Sequence, residues 1–270
     1  MSGLAEKRGS PEGFLGEAYR WARFREEAVS AGGVGSAGSL RGAILAALEQ
    51  EARPGLILEF KRCRPGRFVA YHTPWGFVEA LGGVGDAWSV LVEPFWFCGS
   101  LELLPWFAST GKPVLAKDFV AGPGMLRAYR SLGASAVLLI LDMLGWRRLG
   151  ELYEEARGLG LEVLIETSSA GDAVDAMASF PEALVGINAR NLRSLELSFE
   201  RLLGEIEKAV TSKPSGALLV AESGIDSVEK AVAAARAGAD ALLIGTWAST
   251  RPREVAALPE RLRGVKGGEG

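Results

Sequence analysis

The sequence predicts an α/β fold: a single (β/α)8 barrel of the TIM type carrying an N-terminal helical extension. Three observations lead there. Eight short apolar runs rich in Val, Ile and Leu recur along the 270 residues, with starts roughly 22 to 34 residues apart, the length of a strand plus a crossover helix and its loops. The runs are apolar almost throughout, as strands of a parallel sheet are when buried on both faces. No Gly-rich turn follows the first run (LILEFKRCRPG), which disfavours the rival doubly wound nucleotide-binding sheet. A barrel of this type takes about 250 residues, which the chain supplies.

The elements follow in order. Residues 1–50 form the extension, expected to pack on the barrel. Within it, residues 14–28 (FLGEAYRWARFREEA) have helical spacing, with Phe14, Tyr19, Trp21 and Phe24 among charged positions. Residues 31–39 (AGGVGSAGS) read as a flexible connection. A second helix is expected over about 39–50 with Ser39 as its N-cap. The barrel spans 51–262. Its strands are LILEFK near residue 57, WSVLVE at 88–93, PVLAKD at 113–118, AVLLIL at 136–141, LEVLIE at 161–166, ALVGIN at 183–188, ALLVAE at 217–222 and ALLIGT at 241–246. Between the last two, Asp226-Ser227-Val228-Glu229 resembles a capping box and Gly238 stands where that helix should stop. Residues 263–270 read as a flexible tail.

Composition removes several function classes. The net charge of −3 and pI of about 5.5 give no basic footprint, so no nucleic-acid partner is expected. No apolar stretch is long enough to span a bilayer and the N-terminus lacks an apolar signal core, which points to a cytoplasmic protein without membrane contact. His72 is the single histidine and reads as structural; Cys63 and Cys98 cannot build a disulfide scaffold, suit a reducing compartment, and are assigned no chemistry. A zinc site or a Ser-His-Asp triad is therefore not expected, and no metal or cofactor is called for. The amides number only Gln50, Asn188 and Asn191, a scarcity that suits a heat-stable, thermophilic protein. A monomer is the simplest expectation.

Barrel chemistry sits at the C-terminal ends of the strands. There stand Glu59 and Lys61 on the first strand, Glu93 on the second, Lys117 and Asp118 on the third, Glu166 on the fifth, Asn188 and Arg190 on the sixth and Glu222 on the seventh. One polar residue at a strand end can be mere boundary. The set argues for a catalytic mouth, because two of eight lysines in an Arg-rich chain fall there, and Lys, unlike Arg, can be tuned to trade protons. Ser223-Gly224 and Gly245-Thr246 follow the seventh and eighth strands, the usual phosphate cradle of this fold. Phe95-Trp96-Phe97 and Phe119 set rings beside the charges and can hold a flat aromatic substrate.

These residues resemble a known family. LILEFKRCRP is similar to the E-[YF]-K-R-x-S-P signature of indole-3-glycerol-phosphate synthase, and SVLVEPFWFCGS, VLAKDF, LIET, GINARNL, VAESGI and LLIGT resemble its further motifs in order over about residues 40–250. The resemblance implies a carboxy-lyase of tryptophan biosynthesis that closes, decarboxylates and dehydrates 1-(2-carboxyphenylamino)-1-deoxyribulose 5-phosphate to indole-3-glycerol phosphate, without metal or organic cofactor. It implies Lys117 as general acid, Glu166 as base, and Lys61 as acid at dehydration and phosphate contact. Glu59 and Glu222 would orient the lysines, Asn188 would hold the reacting ring and Arg190 would face the substrate carboxylate. Ser223, Gly224, Gly245 and Thr246 would hold phosphate, while Phe97, Phe119, Leu138 and Leu192 would line the ring pocket.

The sequence departs from the family pattern at Cys63-Arg64-Pro65, Val92, Thr167, Asn191 and Trp247, positions that bear on loop detail and affinity. Two rivals remain. A phosphoribosylanthranilate isomerase would need a Cys/Asp pair at strand ends, which Cys63 and Cys98 do not supply. A barrel that only binds a phosphorylated metabolite would not need both Lys117 and Glu166.

Overall fold

The computed structural model describes residues 38–64, 68–69, 73–190 and 197–266. The eight expected strands are β1 (Gly55–Phe60), β4 (Ala87–Leu91), β5 (Val114–Lys117), β6 (Ala136–Ile140), β7 (Glu162–Thr167), β8 (Leu184–Asn188), β9 (Leu218–Glu222) and β10 (Ala241–Ile244). A small hairpin, β2 (Cys63–Arg64) and β3 (Phe68–Val69), follows β1. The eight strands close into a ring in the order β1-β10-β9-β8-β7-β6-β5-β4, with β1 paired in parallel to both β10 and β4. Helices alternate with the strands, so the chain forms a (β/α)8 barrel.

Side-chain alternation sorts each strand between two apolar layers. Leu56, Leu58 and Phe60 of β1 point outward into the core shared with the helices, whereas Ile57 lies in the lumen with Leu115, Leu138, Leu164, Leu184, Val220 and Leu243. Two residues beyond Ile57, Leu115, Leu164 and Val220 come Glu59, Lys117, Glu166 and Glu222. The period of two therefore places these four charges on the lumen face, one layer above an aliphatic floor. Aliphatic layers of this kind pack the lumen solid and keep water out from below.

The expected helix near residue 39 runs Leu40–Glu51, and Ser39 Oγ accepts from the Gly42 N–H at 2.8 Å. Leu40 and Ile44 join the lumen cluster, so this helix plugs the barrel opposite the strand C-termini. Glu162, the first residue of β7, accepts from Ser39 Oγ and the Leu40 N–H, both at 2.5 Å, which satisfies donors of the helix start. A Cβ on Gly55 would lie 2.8 Å from Ile44, so the close seating needs glycine there. Helix Val228–Arg236 starts at Ser227, whose hydroxyl accepts from the Lys230 N–H, and Gly238 follows it at φ +116°.

The helix expected over residues 14–28, the connection at 31–37, and His72 lie outside the described residues. Of the tail, residues 263–266 turn back onto the barrel, where the Lys266 N–H donates to the Ala52 carbonyl; residues 267–270 lie outside.

Candidate active site

Lys117 stands at the centre of the C-terminal mouth, with its side chain 16% exposed. Its Nζ lies 2.9 Å from Glu222 Oε2, 3.6 Å from Glu166 Oε2 and 3.9 Å from Glu59 Oε2. The second oxygen of Glu59 pairs with Lys61 Nζ at 2.5 Å. All five residues expected to carry charge-based chemistry thus share one site. The three carboxylates are almost wholly buried, and attraction between such groups is far stronger than at a water-exposed surface.

The lysine environment resolves a competition that the sequence leaves open. Burial alone would lower the Lys117 amine, but Glu222, Glu166 and Glu59 together outweigh it and hold the group above the ordinary lysine value. Lys117 is therefore an ammonium in the resting site. Glu222 is also shifted: burial and the neighbouring Glu166 push it up to about 8 despite the pull of Lys117. Glu222 Oε1 has no hydrogen-bond partner among the described residues. It lies over Gly186 of β8, where a Cβ would sit 2.0 Å away.

Other strand-end residues serve as braces. The Glu93 carboxylate accepts from the N–H groups of Phe95, Trp96 and Phe97 at 2.9, 2.6 and 3.2 Å, fixing the short helix Pro94–Phe97. Asp118 accepts from Tyr129 Oη and from the Phe119 N–H, both at 2.7 Å. Neither acid joins the lysine cluster. Asn188 Oδ1 accepts from the Arg190 N–H at 2.9 Å and so shapes the turn that carries Arg190. Arg201, which the sequence reading passes over, donates to the carbonyls of Ser168, Asn188 and Ala189. Its guanidinium clamps the end of β8 to the preceding loop.

The expected phosphate cradle lies beside this cluster, because β9 and β10 are neighbours in the ring. Ser223 adopts φ +66° and Gly224 φ +74°. A serine held in the left-handed region costs energy and points to a site whose function needs that turn. At Gly245 the demand is for space: a Cβ would lie 2.4 Å from Glu59 Oε1 and 3.1 Å from Lys61 Nζ. The Lys61 amine thus approaches the Gly245-Thr246 turn, where helix Thr246–Thr250 begins. On the other side of the mouth, the rings of Phe97 and Phe119 are 6.5 Å apart, and Lys61 Nζ is 5.7 Å from the centre of Phe97. Leu138 is buried in the lumen layer, and Leu192 lies outside the described residues.

The reading of the cysteines needs correction. Cys63, which opens the hairpin after β1, and Cys98, which ends the Pro94–Phe97 turn, form a disulfide with Cα atoms 5.7 Å apart. Loops from β1 and β4 meet at the mouth because those strands are neighbours, a proximity that a separation of 35 residues conceals.

Comparison with known proteins agrees with this geometry. A family model described as indole-3-glycerol phosphate synthase matches residues 32–258. The chain is 45% identical over 199 residues to the indole-3-glycerol phosphate synthase of Aeropyrum pernix, covering 73% of this chain and 76% of the relative. It is 36% identical over 211 residues to that of Pyrobaculum neutrophilum, covering 77% and 83%. Among solved structures, 3-hexulose-6-phosphate synthase from Salmonella typhimurium superposes with a TM-score of 0.58 at 14% identity, covering 77% of this chain and 98% of that one; this is a likeness of fold.

Proposed function

The chain belongs to the indole-3-glycerol phosphate synthase family, and from that premise we propose how its side chains divide the work. The family makes it a carboxy-lyase of tryptophan biosynthesis. The observation that carries the division of labour is the Lys117 ammonium set among Glu59, Glu166 and Glu222.

The substrate, 1-(2-carboxyphenylamino)-1-deoxyribulose 5-phosphate, spans the mouth with its phosphate at Ser223, Gly224, Gly245 and Thr246. Its aromatic ring lies by Phe97 and Phe119, with Leu138 and Leu192 completing that wall. Arg190 faces the carboxylate and Asn188 holds the polar end of the ring. Lys117 gives its proton to the ketone oxygen as the ring carbon bearing the carboxylate bonds to the ketone carbon. The cationic intermediate is stabilised by the fixed carboxylates in a water-poor site. Carbon dioxide then leaves and its bonding pair restores the aromatic ring. At dehydration Lys61 protonates the departing hydroxyl, Glu166 removes the proton from the carbon next to nitrogen, and water and the indole product result. Glu59 and Glu222 hold the two ammonium groups apart from one another and on target. Each of these proton transfers is worth about 100-fold or more in rate.

Heat stability fits the scarcity of amides, and a heat-stable cytoplasmic enzyme can keep the Cys63–Cys98 bond, because intracellular proteins of hyperthermophiles are the exception to the rarity of disulfides in the cytosol. Among the described residues no helix is long and apolar enough to cross a membrane. The test of the proposed roles is direct. Purified enzyme with the substrate should develop indole fluorescence, and the Lys117→Met enzyme should still bind substrate while developing almost none. Signal from the Lys117→Met enzyme equal to that of the parent would end the proposed role of this amine.

A further inference from the structure

We propose that the Cys63–Cys98 disulfide is a clasp that positions Lys61 and Phe97 for substrate binding. The inference rests on the reading above that these two residues line the substrate pocket. Only two cysteines occur among 270 residues, and both lie at the rim of the catalytic mouth, with Cα atoms 5.7 Å apart, within the usual range for the bond.

The two ends of the clasp differ in how firmly they are otherwise held. On the Cys98 side the turn is held by hydrogen bonds and by close backbone packing. Glu93 takes the N–H groups of residues 95–97. The Gly99 N–H donates to the Glu93 carbonyl at 2.8 Å, and a Cβ on Gly99 would lie 2.5 Å from backbone atoms of Leu91 and Val92. On the Cys63 side, Lys61 and Arg62 leave the barrel after Phe60 and lead into a hairpin of two-residue strands. A two-stranded hairpin of that length has little stability of its own. The Lys61 backbone therefore sits between two fixed points, the buried Phe60 before it and Cys63 two residues after it, while its amine pairs with Glu59. The bond passes the rigidity of the aromatic turn to the lysine segment. Holding a charged side chain and an aromatic wall in their bound arrangement removes the ordering cost that binding would otherwise meet.

The test compares oxidised, reduced and substituted enzyme. Under denaturing conditions, the unreduced protein should show no thiol reactive to Ellman's reagent. Treatment with a water-soluble phosphine should expose both thiols: the S–S bond takes up two electrons and two protons, and the phosphine becomes its oxide with oxygen from water. Cys98 is exposed, so the reagent can reach the bond. Reduction should raise KM for the substrate about tenfold, the scale of ordering one or two rotamer-rich side chains on binding, with kcat falling as well to the extent that the Lys61 proton transfer limits turnover. Cys63→Ser and Cys98→Ser should reproduce that KM and lose all response to the phosphine, and reoxidation should restore the parent alone. Free thiols in the unreduced protein would overturn the proposal. So would an unchanged KM in enzyme proven reduced, the outcome for a mere staple, which would move only thermal stability. If the serine variants do not fold, the reduced parent decides alone. Phe97→Ala separates the two layers of the argument: an unchanged KM there sinks the pocket reading, whereas a raised KM there with no response to reduction sinks the clasp.

Discussion

Gly186 leaves the space that Glu222 fills. A Cβ on Gly186 would lie 2.0 Å from Glu222 Oε1 and 3.0 Å from its carboxyl carbon. The side chain of Glu222 is fully enclosed and its other oxygen is tied to Lys117 at 2.9 Å, so it cannot yield without moving the ion pair. Gly186→Ala is expected to lower kcat about 100-fold, because misplacement of a reacting group by about an ångström costs that much. In a Glu222→Ser background, where the collision is gone, the same alanine should cost far less, and that non-additivity is what a double-mutant cycle measures. Equal losses in both backgrounds would show that the glycine serves the strand and not the carboxylate.

The lysine cluster gives the second prediction. Lys117→Met removes the acid and leaves three buried carboxylates facing one another, whereas Glu166→Gln keeps shape and removes the base. Each should reduce turnover at least about 100-fold, the scale of general acid–base catalysis. Steady-state assays of product fluorescence check both, and near-parental turnover in the two variants would dissolve the assigned roles. Glu166→Gln should leave thermal stability closer to the parent, since it still fills the same space.

Much of this site was legible in the sequence because a strand has a period of two. Once the eight apolar runs are placed, Glu59, Lys117, Glu166 and Glu222 must all face the lumen. The pairing within the site was not legible, since which carboxylate lies nearest Lys117 depends on the stagger of strands around the ring. The same holds for the contest between burial and charge at Lys117, which distances decide in favour of the three glutamates. Glu93 and Asp118 look catalytic by position, yet both are spent on backbone and tyrosine donors. Gly245 reads as a phosphate glycine in the sequence and in the structure also clears room for Glu59. The pairing of Cys63 with Cys98 is hidden from the sequence because proximity between loops of adjacent strands leaves no trace in local pattern.

Glu93 supports a prediction separate from the chemistry. Its carboxylate satisfies three N–H groups at the start of the Pro94–Phe97 turn, the work of an N-cap. Glu93→Ala should destabilise the protein by about 1 kcal/mol, as loss of a helix cap does. With Phe97 loosened, KM should rise as well. Thermal unfolding and substrate kinetics measured on the same variant check the two effects together, and a stable variant with parental KM would show that the turn holds itself.

Glu222 sets the expected pH dependence. Burial and Glu166 push its carboxyl up to about 8, from an ordinary value of 4.5, against the opposing pull of Lys117. Between those two values the folded protein keeps a proton that the unfolded chain has released. Stability from this group therefore falls as pH rises from 4.5 to about 8 and levels off above. The same proton governs binding. Below about 8 Glu222 is protonated, whereas above it the mouth gains a negative charge. A substrate carrying phosphate and carboxylate is then repelled, so KM should climb as pH passes about 8 while the Lys117 ammonium stays intact. Glu222→Gln cannot ionise, and it should flatten both the climb in KM and the fall in thermal midpoint across that range. If the climb in KM persists unchanged in Glu222→Gln, the titrating group lies elsewhere in the mouth.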